Sequence, residues 1–98
     1  MNVQNLKLIV HNAFLGAIEK DVRAIAFDYI NNNTIVIYVY IDRKPYSEDY
    51  EIIDMAVTEI MAAIPNILYQ KIEILETKEP IGKLKSYKGW IFIRYEPV

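Results

Sequence analysis

The 98-residue sequence contains no cysteine, one histidine, one tryptophan and three glycines. Without a thiol there is no thiol catalysis, no disulfide and no thiolate metal site. Small secreted domains usually carry disulfides, so this composition points to a reducing compartment, the cytoplasm. Three scattered glycines cannot build a phosphate-cradling loop. No H-E-x-x-H, Walker, G-x-G-x-x-G or G-x-S-x-G pattern occurs. His11 lies between an apolar stripe and a polar side, a position that suits a structural or solvated ring better than a general base, which needs a partner. Asp28 and Asp42 fall at different heights of an expected hairpin, so they make no carboxylate pair. No catalytic residue, metal ligand or cofactor site is expected. Apolar runs are short as well. His11, Asn12 and Gly16 interrupt the first one, and none approaches the roughly 20 residues of a membrane span. Neither a membrane partner nor a signal peptide is expected.

What the chain does have is a hydrophobic content of 53%, enough for the core of one domain spanning residues 1–98. Leu6, Ile9, Val10, Ala13, Phe14 and Ala17 recur at helical spacing, which predicts a first helix that stops between Ala17 and Asp21. Leu8 and Leu15 fall off that stripe. They are either buried under a second layer or exposed for a partner, a second copy of the chain included. "VRAIAFDYI" and "TIVIYVYID" read as strands joined by Asn31 to Asn33, a residue type that tolerates left-handed turns. Ser47 suits an N-cap for a second helix carrying Tyr50, Ile53, Val57, Ile60, Met61 and Ile64 inward, closed by Pro65. "LYQKIEILET" and "WIFIRYE" read as the third and fourth strands. The order α-β-β-α-β-β predicts an α+β two-layer sandwich: a four-stranded, mainly antiparallel sheet with two helices packed on one face. The other face would then be open to water, with Tyr38 and Tyr40 on it. "WIFIRYE" is bulky on both faces, so its second face must be covered by the long lysine loop before it or by another protein.

The net charge of −2 does not favour nucleic acid. The charge is uneven, however. Ser47 to Ile64 holds five acids and no base. Glu48, Glu51, Thr58 and Glu59 share the outer side of the second helix with Ile52, Met55 and Ala62, where a solvated helix would be wholly polar. Interface centres favour tyrosine and methionine, and rim charges steer a partner of opposite sign. These features mark Asp42, Tyr46, Glu48, Asp49, Glu51, Ile52 and Met55 as a protein-binding surface, with Tyr38 and Tyr40 as secondary members. The alternative is a small nucleic-acid- or ligand-binding module that uses the tyrosine face and Lys83, Lys85 and Lys88.

"NAFLGAIEKDVRAI", "VTEIMAAIP" and "WIFIRYE" together resemble the small immunity proteins of bacterial contact-dependent growth inhibition systems. The matching positions are Asn12, Leu15, Gly16, Ile18, Arg23 and Ala24, then Asp54, Thr58, Glu59, Ala62 and Pro65, then Arg94, Tyr95 and Glu96. Order and spacing over nearly the whole chain carry the likeness, since each motif alone is unspecific. One departure is the start of the second helix, "YSEDYEI", which is less acidic than the family's pattern. The resemblance implies a cytoplasmic, non-enzymatic protein. It would bind and neutralise a cognate toxin C-terminal domain, often a nuclease, by blocking its active site or substrate channel. It implies no direct contact with nucleic acid.

Overall fold

The computed structural model describes residues 3–96. Helix α1 (Val3–Ala13) leads into β1 (Val22–Ile30) and β2 (Thr34–Ile41). Helix α2 (Ser47–Ala63), β3 (Tyr69–Glu76), one 3-10 turn (Ile81–Lys83) and β4 (Gly89–Ile93) follow. The fold is the expected α+β arrangement, with the elements in the expected order. The sheet runs β3-β2-β1-β4. β1 is antiparallel to both neighbours, while β3 runs parallel to β2. The sheet is therefore mixed, because α2 carries the chain back across the layer before β3 begins, as a parallel connection requires.

Local chemistry accounts for most boundaries. Asn31 and Asn32 take φ of 58° and 60°, the paired left-handed conformation of a tight hairpin turn. α1 ends at Ala13, earlier than its stripe suggests. Gly16, at φ 85°, turns the chain where a side chain would be strained. Phe14 is fully buried just past the helix end, so the stripe continues although the helix does not. Helix α2 buries Ile53, Ala56, Val57 and Ile60 against Ile35, Ile37, Val39 and Ile41 of β2, Ile25 and Phe27 of β1, and Leu6 and Val10 of α1. Each large apolar side chain enclosed there contributes about 1.5–3 kcal/mol.

The second sheet face is not wholly open to water: over β1 and β2 the chain's own loop between β3 and β4 covers it, while Tyr69 and Leu75 of β3 stay exposed. Ala24 and Ala26 of β1 stand opposite Tyr40 and Tyr38 of β2. Their small side chains leave room for a flat aromatic layer. Tyr87 stacks on Tyr38 with ring centroids 3.8 Å apart and planes 7° from parallel. Trp90 meets Tyr40 edge-on at 6.0 Å, and Leu84 packs beside them. The Tyr40 hydroxyl donates to the Lys85 carbonyl at 2.9 Å. Tyr87 holds φ 52° to reach its ring partner, and Lys88 N–H donates to Phe27 O at 2.9 Å. The lysines of this loop point outward while Leu84 and Tyr87 point in. The cover over Trp90, on β4's second face, thus comes from within the chain, whereas Ile93 on that face stays 46% exposed. The same cover also encloses Tyr38 and Tyr40, which are only 9% and 5% exposed.

Candidate protein-binding surface

Helix α2 presents the acidic segment. Its N-cap is Tyr46, one residue before the expected Ser47. Asp49 supplies the capping carboxylate: its Oδ2 accepts the Tyr46 N–H at 2.6 Å. The same carboxylate takes two guanidinium hydrogen bonds from Arg43, at 2.8 and 2.9 Å. Arg43 also donates to Asp21 at 2.8 Å, and its guanidinium lies 4.3 Å above the Tyr46 ring. The Arg43 bonds hold the Asp49 carboxyl below its ordinary range. Asp49 is thus committed to capping α2 and fixing the turn before it. Asp42 is engaged too, through Arg94 at 3.0 Å.

The other carboxylates differ. Glu48, Glu51, Asp54 and Glu59 are exposed along α2, and Glu19 is exposed beside the end of α1. Among the described residues none of them has an ion-pair partner. A shallow groove of about 350 Å³ opens between the turn after α1 and the outer side of α2, lined by Leu15, Ala17, Ile52 and Met55 with Glu19 and Glu59 among others, while Glu48, Glu51 and Asp54 stand elsewhere on the exposed side of α2. Leu15 and Met55 are 67% and 71% exposed. Two large apolar side chains thus stand in water, with the carboxylates of Glu19 and Glu59 in the same groove.

Of the residues expected at the surface, Ile52 and Met55 line this groove, and Glu48 and Glu51 lie on the same helix. Tyr46 is 58% exposed at the helix start. Asp42 sits with the ion cluster at the end of β2, and Tyr38 and Tyr40 lie under the loop. Sequence reasoning left Leu15, Glu19 and Glu59 out of the set. The signal for Leu15 was its departure from the α1 stripe. Only the turn at Gly16 brings it beside Met55.

The ion cluster has its own geometry. Arg23, 5% exposed on β1, donates from Nε and Nη2 to the two oxygens of Glu96, each at 2.8 Å. Its Nη1 reaches Thr77 O at 3.0 Å. Arg94 adds bonds to Glu96 at 2.9 Å, Asp42 at 3.0 Å and Lys20 O at 2.9 Å. A depression of about 750 Å³ opens over this cluster, but its charged groups already pair with one another. Arg23 first, then Arg94, push the Glu96 carboxyl down to about 2 from an ordinary 4.5. A carboxyl depressed in the folded state stabilises the fold above its unfolded value, and that contribution is lost as pH falls through the folded value. Glu96→Gln should therefore be less stable than the parent at pH 7. The gap should narrow between pH 4.5 and about 2, as read by denaturant midpoints across that range.

His11 Nδ1 lies 3.2 Å from Ile91 O and forms no ion pair with a carboxylate among the described residues. Asp28 stands opposite Val36 in the hairpin register, far along the strand from Asp42. Among the described residues no group of three or more histidines or carboxylates could hold a metal. No helix there is long and apolar enough to cross a membrane.

Residues 3–96 match the sequence model of the MafI2 immunity proteins. The chain belongs to the MafI2 immunity protein family. No curated protein matches it significantly. Membership identifies it as the immunity partner of a toxin–immunity system, with a toxin protein as its counterpart and neutralisation as its role. The resemblance drawn from sequence holds at that level. In a MafI2 immunity protein a groove with apolar centre and acidic rim is a surface whose chemistry suits a protein, since it combines desolvation at the middle with charge at the edge.

Proposed function

We propose that this MafI2 immunity protein neutralises its toxin by seating the groove between α1 and α2 on a basic toxin domain. Leu15, Ile52 and Met55 form the desolvated centre. Glu48, Glu51 and Glu59 guide the approach, and Tyr46 lies at the margin. A nuclease fits this surface, because enzymes that bind phosphates carry basic channels, and an acidic rim occupies such a channel as the polyanion would. Inhibition is then occlusion of the active site or substrate path, in the cytoplasm of the cell that makes both proteins, as in contact-dependent growth inhibition. The protein itself performs no reaction.

The observation that carries this reading is the pair of exposed side chains, Leu15 and Met55, in a groove shared with Glu19 and Glu59, carboxylates that have no ion-pair partner among the described residues. The nucleic-acid alternative has less support, because the rings that would stack on bases, Tyr38 and Tyr40, are covered by the loop. The test is protection: cells expressing the cognate toxin domain are expected to grow when the chain is co-expressed and to die without it. Equal killing in both would overturn the proposal.

A further inference from the structure

An open sheet has two edges, and here they are treated differently. β4 is five residues long and bears an irregularity in its pairing with β1. Its Ile91 carbonyl is taken by His11 of α1. Short length, a bulge and a covering side chain are the usual ways to blunt an edge. β3 has none of these. It is eight residues long, holds unbroken register with β2, and contains no proline. Exposed apolar side chains cluster on and beside it: Leu68 at 61%, Tyr69 at 60% and Leu75 at 40%.

The outward backbone groups can be identified. In a parallel pair alternate residues turn their N–H and C=O toward the neighbour. Tyr69 N–H donates to Asn33 O and Thr77 N–H to Ile41 O, so odd-numbered residues of β3 face β2. Gln70, Ile72, Ile74 and Glu76 therefore turn their N–H and C=O away from the sheet. Side chains alternate too. Ile72 and Ile74 pack with the helices, which leaves Tyr69, Lys71, Glu73 and Leu75 on the opposite face.

We infer that β3 pairs antiparallel with β3 of a second copy, about a two-fold axis at Ile72, to form a continuous sheet across the dimer. The charges select this register. With Ile72 opposite itself, Lys71 meets Glu73 of the other copy and Tyr69 meets Leu75, each twice by symmetry. Gln70 and Ile74 also face each other with outward backbone groups. Moving the axis to Lys71 would oppose the two lysines, and moving it to Glu73 would oppose the two glutamates. Like charges directly opposite are destabilising, whereas unlike charges and aromatic–aliphatic pairs stabilise. A strand of an unrelated protein would have no reason to match this alternation, whereas a second copy matches it without any change. The surface is separate from the groove, so dimerisation leaves α2 free for the toxin.

Sedimentation velocity of the full chain without toxin tests this. The parent should dimerise with concentration. Lys71→Glu and Glu73→Lys should each raise the dimer dissociation constant at least about tenfold, because two attractive pairs become repulsive. The double swap K71E/E73K should restore the parent value. Gln70→Pro should give a monomer with unchanged circular dichroism, since the lost N–H points away from β2. A parent chain that stays monomeric at every concentration would overturn the inference, as would a double swap that fails to restore association. An edge that pairs only with a strand of the toxin would show the first of these outcomes.

Discussion

Arg23→Ala should lower the unfolding free energy by roughly 2–4 kcal/mol, read as a shift of the urea midpoint without a change in slope. The guanidinium is nearly sealed from solvent on the central strand β1. It ties three distant parts of the chain together, since Glu96 and Thr77 both bond to it. Removing it strands the Thr77 carbonyl, takes away the bidentate partner of Glu96 and leaves unfilled the space its methylenes occupied. Small domains have a net stability of about 5–15 kcal/mol, so this single change would consume much of the margin. Arg23→Lys should recover little of it. An ammonium cannot span both oxygens of Glu96 while also reaching Thr77 O.

The second large effect concerns binding. Leu15→Arg with Met55→Arg should weaken toxin affinity at least about a hundredfold. Burying each apolar anchor is worth about 1.5–3 kcal/mol, and the new cations oppose the basic partner. Stability should hardly change, because both side chains stand in solvent. The rim behaves differently: Glu48, Glu51 and Glu59 changed together to lysine should mainly slow association and flatten its salt dependence, with little effect on dissociation. Asp49 does not belong in that set. Its carboxylate caps α2 and holds Arg43, so Asp49→Lys would damage the helix start and confound the readout.

Much of the fold was legible because local rules agreed with global ones. The asparagine run made the hairpin, since few other residues accept paired left-handed conformations. The α2 stripe gave most of its buried side, Ile53, Val57, Ile60 and Ile64, although Tyr50 at its start is 41% exposed, and Ile52 and Met55 stood out as apolar residues on the wrong side of an acidic helix. The parallel placement of β3 was harder to see, because alternation along a strand does not reveal the direction of its neighbour. The closing loop was hidden for another reason. Four lysines dominate "KEPIGKLKSYKG" and suggest a solvated segment. The contacts are made by Leu84 and Tyr87, three residues apart, against a floor that exists only once Ala24 and Ala26 lie beside Tyr40 and Tyr38. The partner surface split along similar lines. Carboxylates alike in sequence part company once folded: Asp42 and Asp49 acquire arginine partners from elsewhere in the chain, while Glu48 and Glu51 have none among the described residues.

The motif positions behind the family likeness divide too. Arg23, Arg94 and Glu96 form the ion cluster, and Gly16 makes the turn after α1. Thr58 Oγ1 bonds back to Asp54 O at 2.8 Å. These residues hold the scaffold. Leu15 and Glu59 lie at the groove. A signature of this kind therefore reports the fold more than the partner, whose identity rests on the exposed side chains around α2.

The most direct test is calorimetric titration of the purified toxin domain into the parent chain and into the Leu15→Arg/Met55→Arg variant, with both shown to be folded by circular dichroism. Saturable heat from the parent and none from the variant is the predicted result. Equal affinity for the two would mean that the toxin is held somewhere other than the space between the helices.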